Sequence, residues 1–334
     1  MKIAFYEIKG WEKDYIKKRL KGHKLYFFEE QLDEKNVKLS SGAEVISIFI
    51  SSKIKKNLLQ NLRNLKAIVT RSTGYDHINL SDCKKRKIKI YNVPNYGQNT
   101  VAEHTFALIL CLSRKINKAY EKTIRGNFSP DNLEGFDLKG KTIGIIGMGN
   151  IGKHVAKIAN GFEMKVIGHD AFPKKNLEKE LKFKFVKLNE LLKNSDIVTL
   201  HCPYNKKTHH LINSKNIKLM KKNAILINTS RGGMVETDAL VKALSTKNLW
   251  GAGLDVLEEE GLINEETELL SFNFPKEKLE NLLENHLLLT FENVVITPHI
   301  AFYSKEAMTR IIDTTLENIE CIIKDKNCGA IVRY

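Results

Sequence analysis

The sequence contains little cysteine: five of its 334 residues, Cys83, Cys111, Cys202, Cys321 and Cys328. No two of them have the C-x-x-C spacing typical of zinc sites and thioredoxin-like redox pairs. Their odd number does not match a disulfide framework either. The cysteines therefore predict reduced thiols in a cytosolic compartment, and no metal is expected.

The sequence also lacks a long apolar segment. No apolar run approaches the length that a membrane-spanning helix needs. The first predicted strand is flanked by charges at Lys2, Glu7 and Lys9, so a secretory signal is not expected. Internal repeats and low-complexity blocks are absent as well. These absences predict a cytoplasmic protein without a membrane partner.

Acidic residues are outnumbered, with 39 Asp and Glu against 54 Lys and Arg, which gives a formal net charge of +15. A basic chain can bind nucleic acid or an anionic surface. The lysines are scattered over several segments, however, and no Arg-rich or aromatic-interleaved patch is present. We interpret them as solvated surface residues that also attract small anionic ligands, and we expect no nucleic-acid partner.

The arrangement of apolar segments predicts an α/β protein with about two domains, because the chain is longer than a single core usually holds. Short apolar runs alternate with polar, helix-like segments throughout. One long, largely buried helix is predicted over residues 100–119, and another helix over 304–324. The predicted strands are 2–6, 45–50, 67–70, 88–92, 224–228, 251–254 and 294–297, with others near Ile143, Val166, Phe185 and Ile197.

This alternation predicts two Rossmann-like, doubly wound parallel-sheet domains. We expect the chain to return to its first domain near the end, so that residues 1–100 plus 301–334 form a discontinuous substrate domain. Residues 101–300 would form the nucleotide-binding domain. The stretch 262–289 fits neither sheet pattern, and its Glu- and Asn-rich composition predicts an inserted helical segment near the site.

A glycine-rich turn stands between a predicted strand and a predicted helix. Gly147, Gly149 and Gly152 form a G-x-G-x-x-G pattern, which permits a tight turn, close approach to a pyrophosphate and tight packing of the following helix. The positive end of that helix dipole would face the phosphate. Asp170 ends the next predicted strand, 18 residues after Gly152. A carboxylate there binds a ribose 2′-OH and repels a 2′-phosphate, which favours NAD over NADP.

Three further predicted strands end in residues that suit acid–base chemistry. Arg231 follows one strand, and its planar guanidinium can bind an anionic ligand through two hydrogen bonds. Asp255 ends the next strand and precedes the acidic run 258–260, and His299 follows the third. Because ligands bind at the carboxyl edge of such a sheet, these residues predict a catalytic site beside the dinucleotide.

These residues resemble one known family over nearly the whole chain, the D-isomer-specific 2-hydroxyacid dehydrogenases, and within it the lactate branch. Phe302 and Tyr303, together with Tyr96, are similar to that branch. The matching motifs lie at 71–78, 92–97, 101–104, 147–170, 200–203, 227–232, 253–256 and 297–303.

The resemblance implies a catalytic set of Arg231, Glu260 and His299. Among the three acidic residues of 258–260, the family pattern Asp-x-x-Glu-x-Glu, begun at Asp255, selects Glu258 and then Glu260, and we take Glu260. The run 262–289 is longer than the family pattern between this Glu and the His. The residues implied around NAD are Gly147, Gly149, Asn150, Ile151, Gly152, Asp170, Cys202, Pro203, Thr208, Thr229, Ser230, Arg231 and Asp255. Those expected to bind substrate are Ser72, Thr73, Gly74, Tyr96, Arg231 and Phe302.

The implied activity is reversible hydride transfer between NADH and pyruvate or a similar small 2-oxo acid. Two alternatives stay open: a dehydrogenase for a bulkier branched or aromatic 2-oxo acid, and a non-catalytic NAD-sensing protein similar to the corepressors related to this family. The resemblance also implies a homodimer. The predicted helix 100–119 is a candidate for its contact surface.

Overall fold

The structure, a computed structural model, describes residues 1–258, 276–326 and 329–332. The chain forms two compact units, Met1–Tyr96 with Ser304–Tyr334, and Gly97–Tyr303. Each unit is built on one sheet, and all the strands of both sheets run parallel. The predicted class, two doubly wound α/β domains of which one is discontinuous, is therefore confirmed.

The first unit has a five-stranded sheet in the order β2-β1-β3-β4-β5. Its elements are β1 Lys2–Phe5, α1 Gly10–Arg19, β2 Lys24–Phe27, β3 Val45–Ile48, α2 Lys56–Asn61, β4 Ala67–Thr70, α3 Leu80–Lys85, β5 Lys89–Tyr91 and α11 Lys305–Ile323. Every residue of β3 and β4 is buried, because helices cover both faces of the sheet.

The return of the chain to this unit follows from one amphipathic helix. Ser304 caps α11 by accepting the N–H of Ala307. Ile312, Leu316 and Ile319 recur at helical spacing, and all three are fully buried in the core that contains β1 and β4. This apolar face makes α11 part of the first unit, although it follows the second in sequence.

The second unit has a seven-stranded sheet in the order β12-β11-β10-β9-β6-β7-β8. The order reverses between β6 and β9, which is where ligands bind in open α/β sheets. Its elements are α4 Gln98–Ser113, α5 Ile116–Ile124, β6 Thr142–Ile146, α6 Asn150–Gly161, β7 Lys165–His169, α7 Asn176–Glu180, β8 Phe183–Phe185, α8 Leu188–Asn194, β9 Ile197–Leu200, β10 Ala224–Asn228, α9 Thr237–Ser245, β11 Leu249–Leu254, α10 Lys276–Thr290 and β12 Val294–Ile296.

The prediction of one helix over 100–119 is wrong. Helix α4 ends at Ser113, and α5 begins at Ile116 after Lys115, whose φ of 50° is left-handed. The Ser113 carbonyl accepts the N–H of Phe136, and Gly135 packs directly against that carbonyl. The N–H of Phe136 thus occupies the Ser113 carbonyl, which would otherwise accept the next hydrogen bond within the helix. Helix α4 is largely buried, whereas α5 has no buried residue.

Two further predictions concern the stretch 262–289 and the cysteines. Helix α10 makes the latter part of the stretch 262–289 helical, as predicted. The first part of that stretch lies outside the described residues, and its being an insertion near the site stays a prediction. Cys321 is disulfide-bonded, which corrects the expectation of five reduced thiols. Disulfide pairing depends on the distance between Cα atoms in the fold, which sequence spacing does not reveal. Within the described ranges, no helix is long and apolar enough to cross a membrane.

Candidate active site

The glycine-rich turn lies at the carboxyl end of β6, between β7 and β9. Gly147 has a left-handed φ of 97°, and a side chain there would collide with the backbone of His201 and Cys202. Gly152 lies in α6, where a Cβ would stand 2.1 Å from the Gly147 carbonyl oxygen. Gly149 is exposed, and nothing lies within 4 Å of its missing Cβ. The turn is therefore tight on its inner side and open at Gly149, as close approach of a pyrophosphate requires.

The start of α6 completes this turn. Gly149 is the N-cap residue, and Asn150 and Ile151 form the first turn of a twelve-residue helix. The first backbone N–H groups of a helix have no partner within the helix and carry the positive end of its dipole. Their position beside the open face of Gly149 suits an anionic ligand.

Asp170 stands at the end of β7, next to the glycine-rich turn. One of its carboxylate oxygens accepts the Met148 N–H at 2.8 Å, and the other accepts the Phe172 N–H at 2.8 Å. The carboxylate thus braces the turn while staying half-buried. Each oxygen has a second lone pair that can accept a ribose hydroxyl.

The end of β9 contributes two neutral side chains beside the turn. His201 is buried, and burial lowers its pKa to about 3, so that the imidazole stays neutral. Its Nε2 bonds to Thr199 Oγ1 at 2.8 Å, whereas its buried Nδ1 has no hydrogen-bond partner among the described residues. Burial raises the pKa of the Cys202 thiol to about 11. Cys202 is therefore a protonated thiol at neutral pH, not a nucleophile.

The loop after Cys202 is shaped by its own hydrogen bonds. The Thr208 hydroxyl donates to the Pro203 carbonyl at 2.8 Å and accepts the Asn205 N–H at 2.8 Å. These bonds hold Pro203 and Thr208, two residues expected near NAD, in one compact turn at the same sheet edge.

The end of β10 carries Arg231. The Ser230 hydroxyl donates to the Leu200 carbonyl at 2.7 Å, and the buried Thr229 hydroxyl lies 3.2 Å from Thr105 Oγ1 on α4. Asn228 fixes the next turn by donating to the Arg231 carbonyl and accepting the Ser230 N–H. Arg231 is half-exposed, and its Nη1 donates to the Ser230 carbonyl at 2.8 Å. The loop is held to β9 and α4, while the guanidinium lies at the edge of the sheet.

Asp255, at the end of β11, organises the loop that carries His299. This carboxylate is 1% exposed. Its Oδ1 accepts the Thr297 hydroxyl at 2.5 Å and the Ile300 N–H at 2.9 Å, while Oδ2 accepts the Ala301 N–H at 2.8 Å. A buried carboxylate needs such donors to offset its desolvation. Among the described residues, the Asp255 carboxylate thus contacts the His299 loop and His104 on α4, and its predicted contact with NAD stays a prediction.

His299 has a left-handed backbone, with φ of 53°. Its N–H donates to the carbonyl oxygens of Asp255 and Thr297, both at 2.9 Å. A left-handed backbone at a residue with a side chain costs about 1–3 kcal/mol and persists only where neighbouring bonds enforce it. Here those bonds come from the backbone carbonyls of Asp255 and Thr297, and the Asp255 carboxylate holds the two residues that follow His299, so the placement of the imidazole depends on both.

His104 on α4 is a site residue for which the sequence analysis assigned no role. Its Nε2 lies 3.0 Å from Thr297 Oγ1 and 3.5 Å from Asp255 Oδ1. Because the Thr297 hydroxyl gives its proton to Asp255, His104 Nε2 must be the donor to Thr297. In the sequence, this histidine is marked only by its place in 101–104, one of the motifs on which the family resemblance rests.

The acidic run 258–260 is described only at Glu258. Its carboxylate accepts the Thr237 hydroxyl at 2.9 Å and lies 2.7 Å from His210 Nε2. Glu258 is thus engaged by α9 and by the loop after β9. Glu260, the predicted partner of His299, lies outside the described residues.

In the first unit, the residues expected to bind substrate form a braced loop after β4. The Ser72 hydroxyl donates to the Gly74 carbonyl at 2.6 Å, and the Thr73 hydroxyl donates to the Val93 carbonyl at 2.8 Å. Asn92 Nδ2 donates to the Thr73 carbonyl at 2.9 Å. The hydroxyl groups of this loop hold its own backbone in place.

Arg71 supports that loop from inside the unit and was not singled out by sequence. It is 2% exposed, and its guanidinium donates to the carbonyl oxygens of Tyr6 and Glu7 and to Ser47 Oγ. Burial lowers the pKa of Arg71, although the charges of Glu12 and Glu7 oppose this effect.

The two aromatic residues expected at the substrate lie in different units. Tyr96 is half-buried in the first unit, where its carbonyl accepts Arg310 Nε at 2.6 Å. Phe302 is half-buried in the second unit, with its ring 6.4 Å from the His299 ring and nearly perpendicular to it. Phe302 therefore packs beside the candidate acid–base residue.

Comparison with known proteins agrees with this geometry. Residues 106–301 match the family model described as "D-isomer specific 2-hydroxyacid dehydrogenase, NAD binding domain". The chain is 36% identical over 327 residues to a "2-hydroxyacid dehydrogenase homolog" of Zymomonas mobilis, covering 96% of each chain. It is 33% identical over 335 residues to the D-lactate dehydrogenase of Escherichia coli, covering 98% of each.

A solved structure is similar over nearly the same length. The D-lactate dehydrogenase of Aquifex aeolicus, crystallised as a complex with NAD and lactic acid, superimposes with a TM-score of 0.86 at 36% identity. The alignment covers 97% of this chain and 96% of that one.

Proposed function

Because this chain belongs to the D-isomer-specific 2-hydroxyacid dehydrogenases, NAD-dependent oxidoreductases that act on the CH–OH group, we propose that it interconverts pyruvate and D-lactate. One observation carries the proposal. Three adjacent parallel strands, β10, β11 and β12, are followed by Arg231, Asp255 and the His299 loop, at the edge that also carries the glycine-rich turn. The similarity to D-lactate dehydrogenases extends over nearly the whole chain and supports pyruvate as the substrate.

NAD is the cofactor, and the residues around the glycine-rich turn fit it. The N-terminus of α6 and Gly149 would bind the pyrophosphate, and Asp170 would bind the adenosine ribose. Cys202, Pro203, Thr208, Thr229 and Ser230 line the same edge of the sheet. When bound, the nicotinamide supplies or accepts the hydride.

Arg231 would bind the substrate carboxylate. Its guanidinium can make two parallel hydrogen bonds to a carboxylate, which fixes orientation as well as charge. We propose that backbone N–H groups of Ser72, Thr73 and Gly74 also bind the substrate, since the hydroxyls of this loop are used internally. The unit 1–96 with 304–334 would then act as the substrate domain.

His299 would move the proton. In the direction of reduction, the protonated imidazole donates to the oxygen of the carbonyl as it becomes a hydroxyl, and in oxidation the neutral ring takes that proton back. Glu260 is proposed to hold the imidazole and favour its charged form. The engagement of Glu258 by Thr237 and His210 supports Glu260 rather than Glu258 for this role.

The test is NADH consumption with a panel of 2-oxo acids from pyruvate to phenylpyruvate, with the chirality of the best product determined. Fast turnover of pyruvate to D-lactate is expected. A clear preference for a branched or aromatic 2-oxo acid would show that the substrate is bulkier than pyruvate. Tyr96 and Phe302 would then accommodate its side chain. NADH binding without turnover of any acid would favour an NAD-sensing protein.

We propose further that the chain forms a homodimer through α5. Ile116, Tyr120 and Ile124 recur every four residues along this helix and are 56%, 65% and 63% exposed. Such an apolar stripe on a helix surface is typical of an interaction site. Size-exclusion chromatography with light scattering should give a dimer that Tyr120→Glu dissociates. Leu39→Glu, at an equally exposed position of the first unit, should leave the dimer intact.

We propose the cytoplasm as the site of action. Cys83, Cys111 and Cys202 are free thiols in the structure, whereas Cys321 is disulfide-bonded, so a cytoplasmic location requires that this disulfide be reduced in the cell. Cell fractionation with a thiol count on the purified protein tests this: enrichment outside the cytoplasmic fraction would contradict it.

A further inference from the structure

A cluster of metal-ligating side chains lies in the second unit, apart from the residues proposed for catalysis. It consists of His209 and His210, in the loop after β9, and Glu258, after β11. One ligand atom from each of the three residues lies within 4.8 Å of the other two. We propose that this cluster binds a divalent transition-metal ion of the zinc type. The proposal concerns binding alone and does not rest on the proposed function.

The geometry is close to that of a bound site. The ligands of a tetrahedral Zn²⁺ lie about 2 Å from the ion and hence about 3.3 Å from one another. His210 Nε2 and Glu258 Oε1 are already 2.7 Å apart, and the rings of His209 and His210 stack with centroids 3.9 Å apart. A small separation of the first pair and a small shift of the exposed His209 side chain toward them would bring all three ligand atoms around one ion.

Neighbouring hydroxyl groups orient two of the three ligands. The Tyr204 hydroxyl lies 3.0 Å from His209 Nδ1, which leaves Nε2 of that ring to ligate. The Thr237 hydroxyl donates to Glu258 Oε2 at 2.9 Å, on the oxygen that does not contact His210. Hydrogen bonds of this kind fix ring tautomers and carboxylate orientation in metal sites.

The backbone of the cluster is held in place as well. His210 has a left-handed φ of 46°, its N–H donates to the Gly233 carbonyl, and its own carbonyl accepts Asn213 Nδ2, both at 2.8 Å. Asn285 Nδ2 donates to the Glu258 carbonyl at 2.7 Å. Because these bonds already order the two segments, metal binding would cost little further conformational entropy.

The donor set selects the class of ion. Two imidazoles and one carboxylate suit Zn²⁺ and its neighbours, whereas Mg²⁺ prefers oxygen ligands in an octahedron. The side chain of Glu258 is 11% exposed and that of His210 is 35% exposed, and His209 is exposed. The ion can therefore enter from the His209 side, and a water molecule would complete its coordination.

Isothermal titration of the full-length, untagged protein with ZnCl₂ tests the proposal, with MgCl₂ as the comparison ion. We expect one equivalent of Zn²⁺ to bind and no Mg²⁺ binding. His209→Gln should weaken Zn²⁺ binding by more than about 10–100-fold, the loss that follows when only a hydrogen-bonded partner of a metal ligand is removed. His209 is exposed, so this variant should keep its fold, which circular dichroism verifies.

His23→Gln is the matched control, because His23 Nδ1 lies 3.3 Å from the N-terminal amine and offers another place for an ion. It should bind Zn²⁺ like the parent protein. Co²⁺ gives a second readout, since its visible absorption bands report low-coordinate nitrogen and oxygen ligation and should disappear in His209→Gln and Glu258→Gln. No Zn²⁺ binding by the parent, unchanged binding by His209→Gln, or loss of binding in His23→Gln would each overturn the proposal.

Discussion

The N–H of His299 donates to the carbonyl oxygen of Asp255 at 2.9 Å, and the carboxylate of the same Asp255 binds the two residues that follow the histidine. A buried acid at the end of β11 thus holds the candidate acid–base residue at the end of β12. His104 reaches the same group from α4 through Thr297. The left-handed backbone of His299 is maintained by this network.

Replacing Asp255 by Asn should therefore weaken both the fold and the reaction. One carboxylate oxygen becomes an NH₂ group that faces the N–H of Ile300 or Ala301, so a buried donor loses its acceptor. We expect a loss of about 1–3 kcal/mol in the free energy of unfolding, together with lower kcat. Urea unfolding and steady-state kinetics measure the two effects. Asp238→Asn, which removes an exposed ion pair with Lys242 and one acidic charge in the first turn of α9, should change stability by less than about 1 kcal/mol. Equal stability of the Asp255 and Asp238 variants would contradict the role of Asp255.

His299→Gln should lower kcat by about 10²–10⁴-fold, the usual contribution of a positioned acid or base. The amide cannot carry the proton, but the cofactor-binding residues are unchanged, so the Kd for NADH should stay within about twofold of the parent. Steady-state rates and fluorescence titration with NADH test the two statements. His23→Gln, in the first unit, is the control and should keep full activity. Near-normal turnover by His299→Gln would remove the imidazole from the mechanism.

Arg231→Lys should lower kcat/KM for pyruvate by about ten- to a hundredfold. Lysine keeps the positive charge but loses the paired hydrogen bonds of the guanidinium, and one charge-assisted bond is worth about 1.5–3 kcal/mol. Initial rates over a range of pyruvate concentrations measure the effect. The same exchange at the exposed Arg63 should have none. An unchanged KM and kcat in Arg231→Lys would show that a point charge suffices.

Asp170 should determine the preference for NADH over NADPH. Asp170→Ala removes both acceptors of the Met148 and Phe172 N–H groups along with the charge, whereas Asp170→Asn removes the charge and keeps one of the two acceptors. If repulsion of the 2′-phosphate sets the preference, both variants should lower the ratio of kcat/KM for NADH to that for NADPH. If the ratio falls only in Asp170→Ala, the carboxylate acts by bracing the turn and not through its charge. If the ratio is unchanged in both variants, Asp170 does not contact the ribose.

The buried His201 should make stability depend on pH in mildly acidic solution. Burial lowers its pKa to about 3 in the folded protein, against an ordinary value of 6.5, so between these two values the unfolded chain binds a proton that the folded chain does not. This contribution to stability is complete above pH 6.5 and is lost as the pH falls from 6.5 toward 3, by up to about 1.4 kcal/mol per pH unit. Urea unfolding at about pH 7.5, 6 and 5 should show a shallower dependence of stability on pH in His201→Gln than in the parent. His23→Gln should retain the parent slope, and identical slopes in all three proteins would refute the assignment.

Much of the fold could be predicted because its signals are local. Buried parallel strands are continuous apolar runs, so segments such as 67–70 and 224–228 were located residue for residue. The edge strand β2, Lys24–Phe27, was missed because it is only partly buried and its short apolar run lies between charged segments that were interpreted as helix-like. The break between α4 and α5 was missed because its cause, the return of Gly135 and Phe136 to Ser113, lies outside the helix.

The candidate site shows the same division. The glycine triad, Asp170, Arg231 and His299 each follow an apolar run, so the sequence by itself determined that they stand at strand ends and that the fold binds a dinucleotide. It did not determine their partners. Thr297 bonds to Asp255 across 42 residues and to His104 across 193, and Glu258 meets His210 across 48. Only the tertiary structure decided these contacts, because periodicity records which face of a segment is buried, whereas strand order and helix packing set which distant side chains come within hydrogen-bond distance.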